Sequence, residues 1–575
     1  IYAPPLMYRE TLYFDSFPKE IATRQRLNGP KQELDAEVGG KIDFFPYVHS
    51  ASQLVPPSEF YTEHPEYFSL VGGKRTDQTI HGQLCWTNPE VLRIATERVL
   101  KWVEEHPEVP IIDVSQNDGE GACECDNCMA LVNESGSQHE PIMRFVNAIA
   151  DVMKERYPDK WIETLAYAYS VKPGTTPPRD NVIIRLCHAG CYFHGFEKCG
   201  LGANFSTWLD EWTARCKRVF IWHYATNFAH YLAPNPNLTG LAADLKYYGK
   251  SGVNGVMVQG NYQSPGGELA ELRQYLASQL MWDPSRDPMQ IRLEFCKGYY
   301  GKVWPVVWDF LALMDKLAER PDAHGFGAWD PRWTNPDTFC AESLALLEKA
   351  WMEANSRELE VRIEKLMLPF WYLQLTWPES YGLTDPEQAA EVVQRVKRLG
   401  EECHITHICE GGENFGPWIA EFEALYNALP SEVVWDLYKL RNQAEWVNTP
   451  GWRPEQVELD GKIQLSLFHH PPEEGVSDGI FHLTLPELAS GQQLLLRFGT
   501  LLSGDRSNGV GYTLLVDEQE VWHHTQLAGP GTAHEVKLAP WAGREIALRL
   551  RVDALGDGTY DWANWVRPQV VLVQD

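Results

Sequence analysis

Residues 111–128 read I-I-D-V-S-Q-N-D-G-E-G-A-C-E-C-D-N-C. An apolar, strand-like run from Ile111 gives way to Gln116, Asn117 and Asp118, and Gly119 then turns the chain. A strand that ends in amide and acid groups has the form of a (β/α)8 barrel strand, whose catalytic residues project from its carboxyl end.

Outward from this stretch, similar runs occur at residues 8–14, 42–49, 82–86, 161–168, 182–187, 219–224 and 253–259, making eight candidate strands with 111–116. The segments between them carry helical periodicity. In residues 89–105, Val91, Leu92, Ile94, Ala95, Val99, Leu100 and Val103 recur at helical spacing, and a second helix is expected over 141–157. Strands alternating with helices predict parallel strands with crossover connections, and eight such units close into a TIM barrel. A doubly wound sheet is the alternative, but no G-x-G-x-x-G or G-x-x-x-x-G-K-[ST] follows any strand, so nucleotide binding has little support.

The fold class expected is therefore α/β: a (β/α)8 barrel over 1–285, a helical region packed on it over 286–449, and an antiparallel β-sandwich over 450–575. In the helical region Leu311, Met314, Leu317, Ala390, Val393, Val396 and Leu399 have the spacing of buried faces. The rings of Phe370, Trp371, Tyr372, Trp377 and Tyr381 there fit a packed helix interface better than a sugar site. Short alternating runs at 493–498, 512–516, 546–552 and 570–573, separated by Gly, Pro, Asn and Asp, predict the sandwich, whose role is either carbohydrate binding or purely structural.

The 575 residues carry a net charge of -29, which opposes binding to nucleic acid through its phosphates, and no apolar run approaches the roughly 20 residues of a membrane span. Neither a nucleic acid nor a membrane is an expected partner; a carbohydrate is, and a homo-oligomer stays open. The 22 Trp and 24 Tyr supply flat apolar faces of the kind sugar rings stack on. The chain opens I-Y-A-P-P with no secretion-signal pattern, and its 12 cysteines are too sparse for a disulfide scaffold, so the expectation leans towards a cytoplasmic protein.

Glycosidic cleavage usually needs one carboxylic acid to protonate the leaving oxygen and a second group to activate water or attack the anomeric carbon. Asp118 is the first candidate for the acid, with Glu120 its neighbour and rival. The seventh strand ends with Trp222, His223 and Tyr224, where a histidine near neutrality could serve as base. Arg9, Asp15, His49, Asn117, Tyr167, Arg185, His188, Gln259 and Asn261 lie at other strand ends or beside Asp118, and their convergence would line a polar pocket. Glu268 is set aside, because a helix start explains it through the dipole. Cys123, Cys125 and Cys128 form C-x-C-x-x-C, which would hold a structural zinc ion if Cys85, Cys187 or Cys191 supplied a fourth sulfur. No three-ligand catalytic metal pattern is legible, and no cofactor is expected for catalysis.

Several linked motifs resemble a bacterial family of glycoside-hydrolase-like barrels, the domain of unknown function 4838. They are H-P-E-Y-F-S-L-V-G-G-K-R from His64, T-N-P-E-V from Thr87, V-S-Q-N-D from Val114, N-F-A-H-Y from Asn227, Q-G-N-Y from Gln259 and W-D-P from Trp282. The resemblance covers about residues 5–305. It implies a barrel distantly similar to α-glucuronidases and β-hexosaminidases and an exo-acting hydrolase of glycan or polysaccharide ends. It also implies a small domain ahead of the barrel, an Asp where this chain has His223, and a Glu where it has Val258. The expectation is an exo-glycosidase with Asp118 as general acid and His223, Glu120 or Asp15 activating water. Two alternatives stand beside it: a non-hydrolytic carbohydrate-binding protein on an inactivated barrel, motivated by those replaced acids, and an exo-glycosidase for glucuronides or sialosides, with Arg9 or Arg185 gripping the sugar carboxylate.

Overall fold

The computed structural model describes residues 2–75, 82–188, 190–325, 327, 329–383, 386–426, 432–459, 462–473, 475–503, 507–556 and 558–574. It divides into two compact units, one of residues 1–384 and 395–415, the other of residues 385–394 and 416–575.

The first unit is built on seven parallel strands: β1 (Tyr8–Leu12), β2 (Phe44–Phe45), β3 (Ile111–Asp113), β4 (Trp161–Ala166), β5 (Val182–Cys187), β6 (Val219–Tyr224) and β7 (Gly255–Gln259). Their order is β1-β7-β6-β5-β4-β3-β2. All six residues of β5 are buried, as expected for a strand covered on both faces. Side chains from all seven strands meet in one interior cluster that includes Tyr8, Phe44, Ile111, Leu165, Ile183, Phe220 and Met257. The Tyr8 and Phe44 rings, from the two end strands, lie 5.4 Å apart. The sheet therefore curls about a common core, although among the described residues no ladder joins β1 to β2.

The expected eighth strand, residues 82–86, is absent from this sheet. Phe44 pairs directly with Ile111 and Phe45 with Ile112, which leaves no place between β2 and β3. Leu84 instead makes an isolated antiparallel bridge with Phe68. The second strand is also shorter than expected, because Pro46 follows Phe45 and has no N–H to extend the ladder.

Helices α1 (Pro89–Glu105), α2 (Asp126–Ser135), α3 (His139–Arg156), α4 (Ala203–Arg215), α5 (Leu238–Tyr248) and α6 (Ala270–Trp282) connect or follow the strands. In α1 the Asn88 side chain caps the amides of Glu90 and Val91, Pro89 occupies the first turn, and Val91, Ile94, Ala95, Val99, Trp102 and Val103 form the buried stripe. Such a cap contributes about 1 kcal/mol, and each fully buried Val or Ile about 1.5–3 kcal/mol. Four further helices, α7 (Pro288–Tyr300), α8 (Trp304–Ala318), α9 (Asp337–Met352) and α10 (Arg357–Thr376), belong to the same unit. Phe370 on α10 packs edge-on against Phe310 of α8 and Phe339 of α9, so this part of the aromatic cluster is a helix interface. No helix among the described residues is long and apolar enough to cross a membrane.

The second unit holds two antiparallel sheets. One runs Gly451–Leu459, Lys462–His470, Ala563–Gln574, Gln492–Leu502, Thr532–Lys537, and Val433–Asp436 also pairs with Ala563–Gln574. The other runs Glu445–Val447, Val476–Thr484, Glu545–Asp553, Val510–Val516, Gln519–Gln526. Their inner faces meet at the buried rings of Tyr512 and Trp565, 5.2 Å apart, in a sandwich-like arrangement.

Candidate active site

At the carboxyl ends of the strands lies a cavity of about 640 Å³, within the roughly 300–1,000 Å³ of small-molecule sites. Of the residues expected from sequence, it brings together Asp118, His49, Tyr167, His188, Trp222, Tyr224 and Gln259. Rings dominate its wall, with Tyr47, Tyr192, Phe228 and Tyr262 joining Tyr167, Trp222 and Tyr224. Trp222 donates its indole N–H to Gln259 Oε1 at 2.7 Å, which fixes both side chains in the wall. His49 Nδ1 lies 2.9 Å from the Gln116 carbonyl, which can only accept, so Nδ1 carries a proton. His49 and Ala168, both lining the cavity, hold left-handed backbone at φ 57° and 51°. Such non-glycine conformations cost about 1–3 kcal/mol each and cluster at functional sites.

The loop that presents Asp118 is anchored by its neighbours. Asn117 donates from Nδ2 to the Gly82 carbonyl at 2.5 Å, and its Oδ1 accepts from the Ser52 amide at 3.0 Å. Gln83 clasps the Asn117 backbone from both sides, accepting from its N–H and donating to its carbonyl, each at 3.0 Å. Gln116 donates to the Tyr167 carbonyl at 3.1 Å and accepts from the Ser170 hydroxyl. After Asp118 the chain needs Gly119 and Gly121, at φ 92° and 101°, to turn away from the cavity. Asp118 Oδ1 accepts from the Tyr167 hydroxyl at 2.9 Å. Burial and then the Asp118 carboxylate raise the Tyr167 phenol far above its ordinary range, so it remains a donor.

Glu410, from a distant segment of the same unit, also lines the cavity. Its loop is strapped to the mouth: the Glu410 amide donates to the Phe228 carbonyl at 2.7 Å, Tyr231 N–H to the Ile408 carbonyl at 2.7 Å, and Gln263 to the Gly411 carbonyl at 2.6 Å. Tyr262 donates its hydroxyl to Glu410 Oε1 at 3.1 Å. Partial desolvation first, and the Asp118 charge after it, hold the Glu410 carboxyl above the usual carboxylate range against the pull of that hydrogen bond. The cavity thus contains two carboxyl groups, those of Asp118 and Glu410. Sequence reading did not find Glu410, nor Lys31, Tyr47, Tyr192 and Phe228. The one local signal for Glu410 is the turn-forming C-E-G-G-E-N that begins at Cys409.

The other expected residues lie elsewhere. His223 is fully buried on the outer face of β6, since Trp222 and Tyr224 on either side take the cavity face. Its ring stacks on His188 at 4.7 Å, its Nδ1 lies 3.2 Å from the Tyr248 hydroxyl, and burial holds it neutral well below its ordinary pKa. Val258 is its ladder partner, on the same outer face, so acids at positions 223 and 258 would face away from the cavity. Burial pushes His188 down to about 3, and with His223 and Asp244 it gathers three ligand atoms within 4.8 Å, a grouping not legible in the sequence. Asp244 Oδ1 accepts from the Phe196 amide.

Arg185 points inward but lies beneath the cavity, bonded to Glu163 at 2.7 and 3.0 Å with both side chains fully buried. Arg9 donates to the carbonyls of Leu6 and Arg26 and rests over Trp282, outside the cavity lining. Asp15, raised to about 6 by burial and then by Glu271, faces Lys365. Glu120 is exposed one turn beyond the cavity loop, and Asn261 donates to the Ser264 carbonyl at 2.7 Å. Asn117, as shown above, anchors the loop. Glu268 forms a buried pair with Arg273 at 2.5 Å.

Cys85, Cys123, Cys125 and Cys128 place four sulfurs within 4.8 Å of one another. Cys85 is thus the partner of the C-x-C-x-x-C group; Cys187 lines the cavity and Cys191 joins a different group. Cys85 Sγ lies 3.6 Å from Cys125 Sγ and 4.0 Å from Cys128 Sγ, bracketing the about 3.8 Å that tetrahedral thiolates 2.3 Å from zinc would show. The Leu70 amide and the Arg75 guanidinium donate to Cys123 Sγ at 3.4 and 3.6 Å, as outer groups do around bound thiolates.

Fold and site together define a parallel α/β half-barrel with an aromatic cavity and paired carboxyl groups at its strand ends. The chain belongs to the family described as domain of unknown function DUF4838, whose model matches residues 1–312. No curated protein sequence matches it significantly. Among solved structures, a family GH115 4-O-methyl-α-glucuronidase with specificity for decorated arabinogalactans is similar at 10% identity and a TM-score of 0.45, over 100% of this chain and 82% of that one. A CBM51 module from Clostridium perfringens GH95, in complex with methyl-galactose, is similar at 13% identity and a TM-score of 0.18, over 24% of this chain and 98% of that one. A family 35 carbohydrate-binding module from Clostridium thermocellum is similar at 13% identity and a TM-score of 0.18, over 25% and 100%.

Proposed function

We propose that the protein is an exo-acting glycoside hydrolase whose cavity takes a terminal sugar between Asp118 and Glu410. The observation that carries this reading is the presence of two carboxyl groups, Asp118 and Glu410, in one ring-lined cavity. A glycosidase needs one carboxyl protonated and one ionised at the same pH, and the raised Glu410 carboxyl suits the protonated role. Glu410, held above the usual range, is the proton donor to the leaving oxygen. Asp118, steadied by Tyr167, is the carboxylate that activates water or attacks the sugar. This exchanges the roles expected from the sequence, where Asp118 was the acid. The interior core beneath the cavity favours a chain end over a continuous polysaccharide, and Trp222 and Tyr224 offer faces for the ring.

Neither Arg9 nor Arg185 lines the cavity, but Lys31 does. Its charge supports a second reading in which the terminal sugar carries a carboxylate. In either reading the cysteine cluster of residues 85, 123, 125 and 128 is a structural zinc site that stiffens the chain leaving Asp118, and no catalytic step passes through it.

Turnover of a panel of neutral and acidic glycosides tests the proposal. Asp118→Asn and Glu410→Gln are each expected to lower kcat by about 10²–10⁴. In the wild type, activity is lost as pH rises through the raised pKa of Glu410, and Glu410→Gln removes that alkaline limb. Binding without turnover across the panel would favour the non-hydrolytic alternative, and full activity in Asp118→Asn would remove that residue from the mechanism.

A further inference from the structure

Another group of metal-ligand side chains shares no residue with the four-cysteine cluster or with the cavity lining. Cys191, His194 and Cys199 follow β5, and His324 stands in the loop after α8. Their four ligand atoms all lie within 4.8 Å of one another. Cys191 Sγ is 3.5 Å from His194 Nδ1 and 3.4 Å from His324 Nδ1, while Cys199 Sγ is 3.8 Å from His324 Nδ1. A tetrahedral ion with sulfur at 2.3 Å and imidazole nitrogen at 2.0–2.1 Å would set sulfur and nitrogen about 3.5 Å apart.

An independent observation fixes the direction of one ligand. His194 Nε2 lies 2.7 Å from the Ala318 carbonyl, which can only accept a hydrogen bond. The ring proton therefore sits on Nε2, and the Nδ1 lone pair faces the two sulfurs. A histidine that donates its far nitrogen to a backbone carbonyl while its near nitrogen faces thiols has the arrangement common among zinc-bound imidazoles. The surroundings suit a closed structural site: Tyr192, Phe193, Ala323 and Trp329 pack around the two buried sulfurs.

We infer that Cys191, His194, Cys199 and His324 bind a structural zinc ion that cross-links the segment after β5 to the loop after α8. The two segments also meet through the Tyr192 amide, which donates to the Gly325 carbonyl at 2.9 Å. Tyr192 and Gly327 both line the cavity, so the ion would brace one wall of it. Binding releases the thiol protons to solvent and involves no change of oxidation state.

The test is the zinc content of the full chain purified in zinc-containing medium without chelator, by mass spectrometry of the metal. Cys191→Ser with Cys199→Ser is expected to lose one equivalent of zinc per chain relative to wild type, whatever the four-cysteine cluster holds. An unchanged zinc content in that variant overturns the inference. Should the variant not fold, X-ray absorption at the zinc edge of the wild type decides. A shell containing imidazole nitrogen as well as sulfur is expected, and sulfur alone would overturn it. This outcome does not depend on glycosidase activity.

Discussion

Two levels inside the curled parallel sheet use the same residue types to opposite ends. At the lower level Arg185 and Glu163 meet with both side chains fully buried, and the rings of Tyr8, Phe44, Tyr47, Phe220 and Trp222 surround the guanidinium at 4.9–6.0 Å. Glu10, raised above its ordinary range chiefly by burial, accepts there from the hydroxyls of Tyr8 and Tyr47. Arg185, Glu163 and Glu10 each have a partner within the core. At the upper level Asp118 and Glu410 each accept a tyrosine hydroxyl yet border open volume. The difference teaches that a buried charge whose field is cancelled is architecture, whereas a carboxyl that keeps reach into a cavity is available for chemistry.

Removing one partner below should damage stability more than catalysis. Glu163→Gln leaves the Arg185 charge buried without its carboxylate, and is expected to cost about 3–5 kcal/mol in chemical denaturation. A loss near zero would mean that water reaches the lower level and that the two levels are not distinct. A smaller effect sharpens the contrast between the two faces of β6. His223→Gln, on the outer face, is expected to leave kcat and its pH profile unchanged while lowering thermal stability modestly; a large loss of kcat would restore His223 to the mechanism.

Much of this arrangement was legible in the chain. Continuous apolar runs such as V-I-I-R-L-C marked strands covered on both faces, and seven of them enter the sheet. Residues 82–86 resembled a strand because Leu84 and Trp86 alternate with Gln83 and Cys85, but those two side chains are committed to the Asn117 loop and the cysteine cluster. The place of Asp118 in the loop that follows β3 was legible because Gly119 marks a turn beside it. The face of His223 could have been read from period-two alternation, since Trp222 and Tyr224 take the inner positions. Depth could not: Arg185 points inward as expected, and only its level along β5 separates a core ion pair from a sugar ligand. Glu410 was illegible for a different reason, because a short loop within the helical region reaches the mouth through backbone hydrogen bonds that leave no periodic trace.

The most direct test of the central claim is a crystal structure of Glu410→Gln soaked with a glycoside that the wild type turns over. A terminal sugar is expected in the ring-lined cavity, its glycosidic oxygen within hydrogen-bond reach of residue 410 and Asp118 beside its anomeric carbon. A sugar bound outside this cavity, or one whose anomeric carbon faces neither residue, would contradict it.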